Sequence, residues 1–271
     1  SISINDAKAA TKVFGKPTLL WDNYPVNDYA ESKGRLLLAP YDRREAGLSK
    51  QLAGILSNPM NQEAASRVAI SGVAAFAWND QDYDASRTWT FAARQLAGNN
   101  PKTTQALLLF FDTQHLAPTF GTHPWQVQAP SLKLILDQFR DALSYGNKDD
   151  RAQAIKSLLN HAHEFRNAPN IIRSGTIDKG FVREAGPWLD AMAIWGEALE
   201  AAVTGLQELE MGKSNSIGYF EQAQELAKKA AVIPSTPGAT RFEGPVKIAD
   251  GVLDVFIKDA PKLLYIAKVS K

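Results

Sequence analysis

K-P-T-L-L-W-D-N-Y-P-V-N-D (residues 16–28) passes straight from an apolar run into an aromatic ring, carboxylates, amides and a proline. A packed core has no use for that mixture, so the segment reads as a short strand that ends in a binding loop. Gly15 and Pro17 bound the run on its N-terminal side. Upstream, the apolar positions of A-K-A-A-T-K-V-F predict a helix capped by Asn5 or Asp6 and closed by Gly15. Downstream, R-L-L-L-A-P (35–40) is a second apolar run and L-A-G-I-L-S-N-P-M (52–60) a third, again ending in a polar residue before proline. Residues 61–78 then predict an apolar-faced helix with Glu63 in its first turn. Helix, strand, polar loop, strand, helix is the grammar of a parallel α/β unit. Polar residues just past such strands collect at one face, where ligands bind. Trp21–Asp28 and Ser57–Asn58 both occupy that position.

From Tyr83 onward the period becomes helical. Asp84 caps one helix and Gly98 follows it; 104–112, 131–143 and 152–161 continue the spacing. Residues 181–209 are interrupted by Gly186-Pro187, which predicts a new helix or a kink. Another helix covers 219–231, a loop 234–240, and a last helix 248–260. No fixed-period repeat is present, so a helical bundle is expected rather than a solenoid.

The 271 residues suffice for one large domain or two ordinary ones, and 45% hydrophobic with 22% charged residues is a globular composition. A net charge of +1, from 30 basic and 29 acidic residues, gives no electrostatic reason to expect a nucleic acid or an anionic membrane as partner. The chain has no cysteine, which rules out disulfides and thiolate metal sites. That suits a secreted bacterial protein, the expected setting, and equally a cytoplasmic one. No apolar run approaches the roughly 20 residues of a membrane span. The opening S-I-S-I-N-D-A-K has no basic-then-apolar leader and already reads as structured, as though the chain began partway through a longer fold.

Trp21 offers a flat apolar face, and Asp22, Asn23, Asn27 and Asp28 offer directional hydrogen bonds. That combination suits a sugar ring with its apolar face and hydroxyl rim. Composition alone gives equal weight to a strand end closed by Asx turns, with Trp21 as a packing residue. Other candidates carry less. His161 and His163, beside Glu164, are two apart on a helix and point to different faces, so a helix surface is expected there. His115 and His123 flank a loop near Trp125 without metal or triad spacing, and Trp89, Trp188 and Trp195 sit among apolar neighbours as core. No P-loop, G-x-S-x-G or G-x-G-x-x-G occurs.

W-D-N-Y-P-V-N-D (21–28), with R-L-L-L-A-P, S-N-P-M (57–60), A-A-S-R-V-A-I-S-G-V-A-A-F-A-W-N (64–79) and Y-D-A-S-R-T-W (83–89), resembles the family 84 glycoside hydrolases. These β-N-acetylglucosaminidases include O-GlcNAcases and enzymes known as bacterial hyaluronidases. The likeness is fainter in G-P-W-L-D-A-M-A-I-W-G-E (186–197). It implies an α/β fragment plus an all-α part: the last strands of a (β/α)8 barrel, seventh and eighth, over 1–80, a helical bundle over 81–240, and a C-terminal helix and tail over 241–271. It also implies substrate-binding roles. Trp21 would wall the pocket, Asn23 would bond around the 2-acetamido group, Asp28 would hold outer hydroxyls and Asn58 another ring hydroxyl.

The family's reaction is retaining and substrate-assisted, and uses no cofactor or metal. An adjacent aspartate pair on an earlier strand orients the acetamide and serves as acid and base. Here the only adjacent pair is Asp149-Asp150, placed to cap a helix, so the catalytic pair is expected upstream of residue 1 and the isolated chain is expected to be inactive. The partners implied are an N-acetylglucosamine-bearing glycan or glycoprotein and the remaining N-terminal part of the barrel. The alternative is a non-catalytic helical binding module.

Overall fold

The computed structural model describes residues 2–117, 127–235 and 244–269. It opens with α1 (Ile4–Phe14), β1 (Leu19–Asp22), β2 (Gly54–Ser57) and α2 (Glu63–Trp78). There follow α3 (Ala85–Leu96), α4 (Pro101–Asp112), α5 (Pro130–Tyr145), α6 (Lys148–Gly175), α7 (Lys179–Glu184), α8 (Gly186–Glu210), α9 (Ser216–Ala230) and α10 (Leu253–Val269). The described residues are thus mostly helical, with one small parallel sheet.

Helices α1, α3, α4, α6 and α7 begin where the sequence supplies a side-chain acceptor for their free amides. Asp84 accepts from the Arg87 amide at 2.8 Å, Asn100 from Thr103 at 2.9 Å and Asp178 from Gly180 at 2.9 Å. One expected cap is corrected: Ser3, not Asn5 or Asp6, starts α1. The Ser3 hydroxyl and Asp6 exchange hydrogen bonds in a capping box, which places Asp6 inside the first turn. Gly186 opens α8 directly after α7, as the Gly-Pro break predicts. At the helix crossing, a Cβ on Gly196 of α8 would lie 2.5 Å from the Arg166 Cα of α6, so only glycine permits that approach.

β1 and β2 pair in parallel, with Leu19 opposite Gly54 and Asp22 opposite Ser57. Two strands cannot hold themselves together in water. What fixes this pair is the segment between them. Residues 35–41 form no ladder, yet Leu36, Leu37, Leu38 and Ala39 are at most 1% exposed. Buried irregular backbone needs partners, and distant side chains supply them. The Gly34 carbonyl accepts from the Trp188 indole at 3.1 Å and Leu38 from Trp89 at 2.6 Å. Ala39 accepts from the Tyr24 hydroxyl and Tyr41 from Tyr83, both at 2.6 Å. The Leu36 amide donates to Gln114 Oε1 at 3.2 Å. Trp188 is fully buried in the core and Trp89, partly buried, packs against it; both donate to the segment behind the sheet.

Arg35 anchors the same segment to the chain's far end through a two-pronged pair with Asp250 at 2.7 and 2.6 Å. Burial alone would raise the Asp250 carboxyl, but the hydrogen bonds and charge of Arg35, aided by Gln128, hold it below the usual range. A depressed carboxyl stabilises the fold above its unfolded pKa of about 3.9, and that contribution is lost as the pH falls through the lower folded value. Urea midpoints at pH 6 and pH 3 should therefore fall more steeply for the wild type than for Asp250→Asn. Equal slopes would show that the pair carries no pH dependence.

Candidate functional site

The site forms where the two strands run out. Strand alternation points Leu19 and Trp21 to one face and Leu20 and Asp22 to the other. Trp21 is 62% exposed whereas Asp22 is 1% exposed. Asn23 and Asp28 are exposed, and Asn58 is half-buried. The Asn58 amide donates to the Asp22 carbonyl at 2.9 Å, which holds the two strand ends side by side past the last ladder pair.

Asn23 Oδ1 accepts from the Trp21 indole at 2.9 Å and from Asn58 Nδ2 at 3.1 Å. An indole N–H can only donate, so the amide oxygen must face it and Asn23 Nδ2 is left to donate outward. Asn58 correspondingly presents its oxygen. The face thus combines an aromatic plane, an amide donor and an amide acceptor, with the Asp28 carboxylate in the loop that follows β1. Such a set can grip a ring that has an apolar side and a hydroxyl-bearing rim.

Asp22 and Asn27 are not part of that face. Asn27 is fully buried and donates to the Arg35 carbonyl at 3.1 Å and to Gln62 at 2.8 Å. Asp22 accepts from Arg44 Nε at 2.9 Å, from Arg44 at 2.6 Å and from the Tyr41 hydroxyl at 2.7 Å. The Arg44 guanidinium lies 4.1 Å from the Tyr41 ring centroid and 5.7 Å from that of Tyr24. Burial pushes the Tyr24 and Tyr41 hydroxyls well above their ordinary range. Tyr29, beside Asp28, is pushed up to about 12, first by burial and then by Glu31. All three remain neutral hydrogen-bonding groups near neutral pH.

Residues 1–112 match the family model for beta-N-acetylglucosaminidase. The Protein O-GlcNAcases of Rattus norvegicus and Mus musculus are each 34% identical over 73 residues, 27% of this chain and 8% of theirs. Among solved structures, CpGH84D superposes with a TM-score of 0.83 at 20% identity, covering 99% of this chain and 43% of that one. CpGH84B gives 0.77 at 23% identity, covering 96% and 42%. A Thermobaculum terrenum O-GlcNAc hydrolase mutant gives 0.76 at 22%, covering 99% and 53%. Residues 1–112 thus match the beta-N-acetylglucosaminidase family, and the chain as a whole shares its fold with the family 84 structures. It spans about half the length, or less, of these relatives.

The Asp149-Asp150 pair opens α6. Asn147 accepts from both of their amides, and Asp150 accepts in return from the Asn147 amide at 2.9 Å. That is the capping role the sequence predicts. His163 faces Glu200 on α8 at 3.0 Å, whereas His161 lines a cleft with residues of α5. The two histidines point apart, and among the described residues no cluster of acidic and histidine side chains could hold a metal. His115 Nδ1 meets the Val127 carbonyl at 2.9 Å, and burial lowers its pKa. His123 and Trp125 lie outside the described residues. Among the described residues no helix is long and apolar enough to cross a membrane. Sequence reasoning missed Arg44 and Tyr41. The alternation of β1 was the one available sign that Asp22 points away from Trp21, toward a buried partner.

Proposed function

We propose that this chain supplies part of the sugar pocket of a retaining β-N-acetylglucosaminidase acting on terminal β-linked N-acetylglucosamine of a glycan or glycoprotein. The observation that carries the reading is the division at the strand ends: Trp21, Asn23, Asn58 and Asp28 reach solvent, while Asp22 and Asn27 turn inward. Trp21 stacks on the ring, Asn23 donates to the acetamide region, Asn58 takes a hydroxyl and Asp28 holds the outer hydroxyls. β1 and β2 are the last two strands of a (β/α)8 barrel. Their exposed face, carrying Leu19, Trp21 and Leu56 at 53, 62 and 47%, turns toward the earlier strands, which also pair with the open edges.

Those earlier strands bring an adjacent aspartate pair. One carboxylate aligns the substrate's acetamide so that its oxygen attacks the anomeric carbon, giving an oxazoline. The other protonates the leaving oxygen and then activates water. The present residues bind and orient, and move no proton. The chain alone should leave a chromogenic β-N-acetylglucosaminide intact, and the same chain extended N-terminally through the earlier strands should cleave it. In the extended form Asp28→Ala is expected to lower kcat/KM about tenfold to a hundredfold, the worth of hydrogen bonds to a charged group. Turnover by the purified short chain, or none by the well-folded extended one, sinks the reading.

A further inference from the structure

We infer that Arg44 is a positioning residue for the site, acting through Asp22 to fix the orientation of Asn23 and Trp21; its link to sugar binding rests on the function proposed above. Asp22 is the last residue of the β1–β2 ladder and stands between the two side chains that reach solvent. Its backbone carbonyl holds the Asn58 amide at 2.9 Å, and its carboxylate is held by Arg44 and Tyr41. Both ends of one residue are therefore fixed, from opposite sides of the strand.

The pair is completely desolvated, with side-chain exposures of 1% for Arg44 and 0% for Asp22. Its geometry is the parallel fork that a guanidinium makes and an ammonium cannot. Arg44 Nη1 also donates to the Asp42 carbonyl, which ties the fork to the loop behind it. A site group stays in place when a buried, fully bonded layer fixes the group that carries it. If Asp22 rotates, Asn58 loses its backbone anchor and the shared Asn23 oxygen loses the alignment that serves both Trp21 and Asn58. The amide could then turn, and the site would present an acceptor where it now presents a donor.

The indole N–H signals in a proton–nitrogen spectrum of this chain test the inference without requiring activity. Trp21 reports the Asn23 contact, while Trp89 and Trp188, bonded to Leu38 and Gly34, report the fold. Arg44→Lys keeps the charge and loses the fork. It should move the Trp21 signal and leave the other two in place. Tyr41→Phe removes one hydrogen bond to Asp22, should move the same signal less, and decides the matter if Arg44→Lys does not fold. An unmoved Trp21 signal in a folded variant overturns the inference. So does an equal displacement of all three signals, which would make the cluster a general support of the fold.

Titration of the extended protein with N-acetylglucosamine separates the two readings. Weaker binding by Arg44→Lys, up to about tenfold as for the loss of one well-aligned hydrogen bond, joins the positioning role to the pocket. If no form binds the sugar while the Trp21 signal still moves alone, the pocket reading falls and the positioning role stands.

Discussion

Arg44→Met is expected to destabilise the fold by about 3–5 kcal/mol, the cost of leaving a buried carboxylate without its counter-ion. The fork from Arg44 and the single hydrogen bond from Tyr41 are what hold the Asp22 side chain. After the substitution only the tyrosine remains, and no water reaches a side chain that is 0% exposed. The combined variant Asp22→Leu/Arg44→Met/Tyr41→Phe removes the polar groups together. It should recover more than half of the loss, because a buried ion pair replaced by apolar residues of similar volume is often near neutral. Urea unfolding of the single and combined variants forms the required cycle. A combined variant no more stable than Arg44→Met would mean that the loss came from packing rather than from the stranded charge.

Gly34→Ala is expected to be comparably damaging for a different reason. Gly34 has a φ of 74°, a left-handed conformation that costs an alanine roughly 1–2 kcal/mol. Its Cβ would also stand 2.1 Å from the Pro245 carbonyl oxygen, a backbone atom with little room to give. Overpacking of this kind adds typically ~1–3 kcal/mol. The same residue's carbonyl accepts from Trp188 and its neighbour Arg35 grips Asp250, so the displacement would reach the whole segment behind the sheet. A midpoint of thermal unfolding more than about 10 °C below wild type is expected, at 4–8 °C per kcal/mol for small domains and 2–4 °C for larger ones. A change of a degree or two would show that the Pro245 turn simply moves aside.

The sequence disclosed those elements whose causes are local. The strand ends at Asp22 and Ser57 lie between Gly or Pro boundaries, and α3, α4 and α6 carry Asp84, Asn100 and Asn147 as acceptors at their starts. Gly186-Pro187 marks the α7–α8 junction for the same local reason. Non-local causes stayed hidden. The buried course of residues 35–41 depends on the indole donors of Trp89 and Trp188 and on Gln114 as an acceptor, all far along the chain. The composition of Trp21–Asp28 suggested a site but not which polar residues face it. Asp22 is separated from Asn23 by a single reversal of side-chain direction, and its partner Arg44 sits in a loop with no motif to announce it.

The indoles of Trp89 and Trp188 give the chain a property that neither strands nor helices have separately. Their hydrogen bonds run from the helical part to carbonyls of the connection between the strands. Cutting the chain near residue 80 would therefore not release a smaller, tidier binding piece. It would strip the donors from a buried connection and leave its carbonyls without partners, so the strands would lose their shape before they lost any ligand contact. Anyone trimming or transplanting these strand ends would have to carry the helices with them, as part of their foundation.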